Sequence, residues 1–278
     1  MSNEHQEQIA PGNLWSSSEA AERWQQEVER RQRDFGEATQ LMLEAAGIKQ
    51  GDHILDIAAG TGDQSLLAAR RVGADGSVLV TDISAEMLTV AARLAEQKGL
   101  TNVTTRVMDA ERLDLADNAF DAVICRLGLM LIPHPKLALS EIRRVLKPGG
   151  KLGALVWSIP ANNPLFSLPL AIVAKYMQGT SLDLSNPFAL ADSALFEREL
   201  AAAGLREIAT RPIPLHSHYA SLEAFLQSTG RRVLRVVEEL SPQDQQHLFD
   251  EVRQALRQFE GPEGFVAPAE MLLAVGTR

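Results

Sequence analysis

Asp56 closes a short apolar run, Ile54-Leu55-Asp56-Ile57, and Ala58, Ala59, Gly60, Thr61 and Gly62 follow it directly. β-Forming residues that give way to small ones read as a buried strand breaking into a tight loop, and the helical composition of 64–71 starts a helix just after it. Small residues let the backbone approach a ligand closely, and the free N–H groups at a helix start favour an anionic group. Twenty residues beyond Gly62 a second apolar run, Val78-Leu79-Val80-Thr81, ends in Asp82. A carboxylate there can accept both hydroxyls of a ribose. Either feature alone is common in ordinary turns; together they predict a nucleoside-cofactor site.

Such a site needs strand ends held side by side. The sequence predicts strands at 53–57, 77–82, 103–108, 120–125 and 151–157, and helices at 64–71, 85–98 and 135–146. Ser84 suits the N-cap of the second helix, and Pro148-Gly149-Gly150 is expected to stop the third. Alternating strands and helices imply right-handed crossovers and a parallel sheet covered on both faces, with ligands at the strands' carboxyl ends. Asp56, Asp82, Asp109 and Arg126 all fall at those ends. Before the core, 16–46 is helical, with breaks expected at Gly36 and Gly47; Trp15 just before it and Trp24 within it either line a pocket or pack in a core.

The 278 residues suffice for one large domain, and 45% hydrophobic with 23% charged residues is ordinary for a globular chain. The net charge of −9 argues against nucleic acid as the main partner, because phosphate neutralisation needs clustered Lys and Arg. The only cysteine, Cys125, lies in an apolar run and reads as a small buried hydrophobe in a reducing compartment. The N-terminal stretch lacks the look of a secretion signal, and no run approaches the ~20 apolar residues of a membrane helix. A cytoplasmic protein without membrane insertion is the expectation. The sequence carries no signature of an oligomeric state, and its histidines and acids show no metal-ligand spacing.

The segments DIAAGTGD at 56–63, VTDISAEML at 80–88, MDAERLDLADNAFDAVI at 108–124 and EIRRVLKPGGKL at 141–152 resemble, in order and spacing, the class I S-adenosylmethionine-dependent methyltransferases. The branch most similar is that of the ubiquinone and menaquinone biosynthesis methyltransferases. The resemblance implies an α/β, Rossmann-like, seven-stranded sheet, mostly parallel, with helices on both faces. EMLLAVGTR at 270–278 would be its antiparallel last strand. It divides the chain into an N-terminal helical lid (1–46), a cofactor-binding core (47–157), substrate-side inserts with the sixth strand (158–260), and the last strand (261–278). The cofactor implied is S-adenosyl-L-methionine. Its methionine end would lie on Ala58, Gly60, Thr61 and Gly62, with Asp56 near the ammonium. Asp82 would take the ribose, Ile83 and Met87 would pack on the adenine, and Asp109 and the Ala110 N–H would read its edge. Arg126 would offer its backbone carbonyl; its side chain is unusual for the family.

Methyl transfer from a sulfonium is an in-line displacement that depends on positioning and water exclusion, so few catalytic groups need show. Inserts at 158–190 and 221–260 would roof a small-molecule substrate, with a helix starting at Ser241-Pro242. The apolar run Leu127–Ile132 points either to a partly non-polar substrate or to core packing. Leu129, Met130 and Leu131 occupy the place where some O-methylating relatives carry a histidine. His134 reads as a helix-start residue. The remaining candidate bases are His216 and His218, expected where the sixth strand (207–216) enters the roof, with Tyr176 and Tyr219 behind them. Transfer to an O or C atom is the reading. A nicotinamide-dependent oxidoreductase is the first rival, weakened because Ser65 stands where the third glycine of a dinucleotide loop would be. A non-catalytic cofactor-binding protein of the same fold is the second.

Overall fold

The computed structural model describes residues 18–176, 187–230 and 240–278. Trp15 and parts of both inserts lie outside them. Two helices come first, α1 (Ser18–Gln26) and α2 (Val28–Ala45). Next come β1 (His53–Ile57), α3 (Asp63–Val72), β2 (Ser77–Asp82), α4 (Ala85–Gln97) and β3 (Val103–Val107). β4 (Phe120–Arg126), α5 (Pro135–Val145) and β5 (Leu146–Trp157) complete the parallel half. The rest is α6 (Pro164–Tyr176), α7 (Ser193–Ala202), β6 (Arg206–Tyr219), α8 (Leu222–Phe225), α9 (Pro242–Leu256), β7 (Glu260–Gly261) and β8 (Gly264–Thr277).

The strands run in the order β3-β2-β1-β4-β5-β8-β6. β1 to β5 pair in parallel, and β8 lies antiparallel between β5 and β6. The seven expected strands are present, and an eighth, the two-residue β7, turns back onto the start of β8. Ala122 to Cys125 of β4 are all buried, as a central strand covered on both faces requires. The order reverses between β1 and β4, so their carboxyl ends open a crevice at that point.

Several boundaries differ from the sequence reading for identifiable reasons. The break between the first two helices falls at Glu27, and Gly36 lies within α2. Phe35 packs edge-on against Trp157 at 5.7 Å, and this long-range contact outweighs the weak helix propensity of one glycine. α5 stops at Val145, three residues before Pro148, because Leu146 is already extended and pairs with Phe120. The residue before a proline avoids the helical region, so Lys147 could not have carried the helix further. β6 and β8 are each longer than expected because their outer halves pair with one another, from Leu215↔Ala269 to Tyr219↔Phe265. Pro212 and Pro214 are tolerated because β6 is an edge strand.

Among the described residues the buried hydrophobes form two large cores and a small third one. The main one lies on the sheet and includes Phe35, Ala38 and Met42 of α2. The second joins Leu165, Ile172 and Val173 of α6 to Phe225, to Leu248, Val252 and Leu256 of α9, and to Phe265 and Ala267 at the start of β8. The β6–β8 ribbon thus passes from the sheet core into the roof. Asn163 ties the first insert to this ribbon: its Nδ2 donates to the carbonyls of Ser158 and Glu270, and its Oδ1 accepts from Glu270 N at 3.0 Å. Among the described residues no helix is long and apolar enough to cross a membrane.

Candidate functional site

The turn after β1 holds Ala58, Gly60 and Gly62 at φ of 51°, 58° and 79°. Leu127, at the end of β4, is also left-handed at 60°. Two non-glycine residues in that strained region, at the ends of the two strands flanking the reversal, are a feature that functional loops carry. A Cβ on Gly128 would stand 2.5 Å from the Ala58 Cβ and 2.9 Å from the Cys125 sulfur, so the two turns touch only because Gly128 has none. A Cβ on Gly60 would meet the Trp24 indole nitrogen at 3.3 Å, which places α1 across the glycine loop.

Asp82 anchors this loop from the neighbouring strand. Its Oδ2 accepts from Gly60 N at 2.8 Å and its Oδ1 from Ser84 N at 2.9 Å. Burial raises its carboxyl above the usual range. With about four lone pairs in all, the carboxylate keeps capacity for a hydroxyl beside these amides. Ile83 beside it is 55% exposed, an open apolar ledge, and Asp109 is exposed with one oxygen accepting from Glu111 N. Ala110 is half-buried. Met87 is buried with Val90 and with Ala21 of α1.

Asp56 is fully buried beneath the loop, enclosed by Gln64 Nε2 at 3.1 Å and the Ser65 hydroxyl, both of which donate to it. Burial pushes its carboxyl up to about 7, against the opposing pull of those two hydrogen bonds. Ser65, where a dinucleotide loop would have glycine, therefore serves the acid. Cys125 is buried and its thiol is raised by desolvation, as a core residue's should be.

The side chain of Arg126 now has an explanation. It donates to Thr39 of α2 at 3.0 Å and to Asp63 of α3 at 3.2 Å. Arg31 of α2 donates to the same Asp63 oxygen at 2.8 Å, to Thr61, and to the Trp24 carbonyl, with its guanidinium 4.2 Å from the Trp24 ring centroid. Burial alone would raise the Asp63 carboxyl, but Arg31 and then Arg126 hold it below the usual range. Two buried guanidiniums share one carboxylate, which leaves a surplus positive charge beside the glycine loop. Arg31, Thr39, Asp63 and Gln64 were not singled out from sequence. Asp63 and Gln64 follow the loop directly, a signal within reach; Arg31 lies 32 residues from Asp63, and nothing local marks it.

His216 and His218 lie on β6, the edge strand. Trp157 pairs with Met271 and Met271 with Ile213, and direct partners share a face, so these three point toward α2. Alternation then turns Leu215 and Ser217 the same way and puts His216 on the opposite, exposed face of the outermost strand, while the His218 ring reaches Asp34 of α2 at the strand edge. The His218 backbone N–H donates to Asp34 Oδ2 at 3.1 Å, its ring Nδ1 is 3.2 Å from Oδ1, and Arg33 donates to its carbonyl. Those contacts cap the open edge of β6. His134 opens α5, and Tyr176 donates to Glu251, a bond that raises the phenol to about 12. Among the described residues no group of three His, Cys, Asp or Glu could hold a metal ion.

A parallel sheet reversed at β1 and β4, a glycine loop and an acid at adjoining strand ends, and an antiparallel strand between β5 and β6 define the class I methyltransferase fold. Residues 54–150 match the family described as "Methyltransferase domain". The chain is 48% identical over 117 residues to the ubiquinone/menaquinone biosynthesis C-methyltransferase of Chromobacterium violaceum, covering 42% of this chain and 47% of that one. It is 44% identical over 126 residues to the same-named protein of Stutzerimonas stutzeri, 45% of this chain and 49% of that one. The chain thus matches about half the length of these curated relatives. A methyltransferase of Aquifex aeolicus superposes with TM-score 0.54 at 20% identity over 74% of this chain and 93% of that one. Phosphoethanolamine N-methyltransferase 2 of Haemonchus contortus, bound to S-adenosyl-L-methionine, does so at 0.58 and 19% over 94% and 57%. Residues 54–150 form a methyltransferase domain, and over 42–45% of its length the chain is similar to ubiquinone/menaquinone biosynthesis C-methyltransferases. The antiparallel β8 sets the sheet apart from that of a dehydrogenase, and nothing favours the oxidoreductase reading.

Proposed function

We propose that the protein is an S-adenosylmethionine-dependent methyltransferase that moves a methyl group to an O or C atom of a small, partly apolar organic molecule. The observation that carries this is the paired arrangement at the strand ends, Asp82 bonded to the glycine-loop amide on one side and the surplus guanidinium charge at Asp63 on the other. Its polarity matches a zwitterionic amino acid joined to a nucleoside. Asp82 would hold the ribose, Ile83 and Asp109 with Ala110 the adenine, and Arg31 and Arg126 the carboxylate. Bound S-adenosylmethionine supplies a methyl group made electrophilic by its sulfonium. The chain then has to exclude water and hold the acceptor in line, tasks that suit α1 and the α6–α8–α9 roof.

The aromatic series Phe35, Trp157 and Phe166, with centroids 5.7 and 4.9 Å apart, runs from the sheet core to the roof and supports an acceptor with non-polar surface. The C-methyltransferase relatives, similar over 42–45% of this chain, favour carbon as the receiving atom. A base drawn from His216 or His218 would act across the edge of the sheet, so His216→Ala and His218→Ala separate turnover that needs a base there from turnover that does not. The acidic charge and single buried cysteine fit a cytoplasmic enzyme with a small-molecule partner and no nucleic acid.

Calorimetric titration with S-adenosylmethionine, S-adenosylhomocysteine and NADH tests the reading. Micromolar binding of both sulfur nucleosides without NADH is the expected result. Binding of NADH alone, or of nothing, would overturn it.

A further inference from the structure

Gln64, in the first turn of α3, is 1% exposed and uses half of its amide. Its Nε2 donates to Asp56 Oδ1 at 3.1 Å and to the Ala59 carbonyl at 3.4 Å. Its Oε1 is buried with no partner. Turning the amide over offers no remedy, because the Ala59 carbonyl on the Nε2 side can only accept. An unmet buried acceptor costs about 1–3 kcal/mol, and folded proteins leave few of them. The group that completes this one must therefore be a donor.

The surroundings narrow its nature. Asp56 lies on the Nε2 side of the same amide, with one oxygen accepting from Gln64 and the other from Ser65. Arg31 and Arg126 gather at Asp63, one residue along, and would take the anionic half of a zwitterion. A cationic donor suits an unpaired amide oxygen whose own Nε2 is bonded to an acid. We infer that Gln64 accepts a hydrogen bond from the ammonium group at the cofactor's amino-acid end, with Asp56 behind it as counter-charge. This assignment rests on the cofactor reading above and makes Gln64 a cofactor-positioning residue.

The test is calorimetric titration of the full chain with S-adenosylhomocysteine and with its analogue lacking only the amino group. Gln64→Met, nearly isosteric, is expected to weaken the first by about ten-fold and leave the second within about two-fold. Equal weakening of both, or of neither, overturns the inference. Gln64→Glu keeps an acceptor and should retain the wild-type preference for the amino-bearing ligand. If Gln64→Met does not fold, as thermal unfolding would show, that variant decides: a kept preference supports the inference and a lost one overturns it. Wild-type protein that binds both ligands equally overturns the inference alone. Wild type that binds neither removes the cofactor reading and the inference with it.

Discussion

At the residue scale the site is built on two carboxylates with different partners. Asp82 binds backbone amides with both oxygens and keeps capacity for a ribose, so Asp82→Ala should cost roughly 2–4 kcal/mol of cofactor affinity by calorimetry. Unchanged affinity in a folded variant would take Asp82 out of the site. Asp56 is enclosed by side chains, and burial pushes it from 3.8 up to about 7. Between those values the folded protein keeps a proton that the unfolded chain has released. The stability from this group is therefore fully present below about pH 4 and is lost as pH rises to about 7, with no further change above. Urea denaturation from pH 4 to 8 should show that decline in the wild type and a flatter profile in Asp56→Asn. Affinity for a cationic ligand should move in the opposite sense and rise through the same window.

At the element scale, α2 does more than cover the sheet. Arg31 reaches the glycine loop, Asp34 caps the edge of β6, and Phe35 meets β5, so successive turns of one helix fix three parts of the molecule. The link to α3 depends on Asp63, which stands between two guanidiniums that would otherwise repel. Asp63→Asn should lower stability by about 3–5 kcal/mol in urea denaturation, because it leaves buried charge without a counter-ion. Adding Arg126→Met should recover part of that loss, and a second loss that simply adds to the first would show the groups to be uncoupled. The helix pattern of 16–46 was legible in sequence; its attachments were not, since Arg31 and Asp63 lie 32 residues apart and Arg126 and Asp63 lie 63 apart.

At the scale of the whole molecule, the sheet core and the roof are joined through the β6–β8 ribbon. Phe265 sits where they meet, fully buried, with Phe225 at 5.5 Å and Tyr219 at 6.3 Å. Truncation to Ala should cost about 3–5 kcal/mol. Because the cofactor loop belongs to the other core, Phe265→Ala should spare cofactor affinity and raise KM for the acceptor, read by comparing calorimetry with steady-state kinetics. Equal losses in both would mean that the two cores do not act separately.

The sequence by itself determined the strand–loop–helix unit at Asp56 to Gly62, the acid at Asp82, the alternation of strands and helices along the core and the N-caps at Ser84 and Ser241. Each of these rests on local chemistry: hydrophobic period, residue size, a hydroxyl three positions before an amide. The tertiary structure alone decided which side chains share a carboxylate, which amide oxygen is left unpaired and which way the His216–His218 strand faces. The physical reason is that these depend on register and approach across the sheet. The pairing of β6 with β8 left His216 exposed and set His218 against Asp34 of α2, and the seating of α2 on β5 brought Arg31 to Asp63.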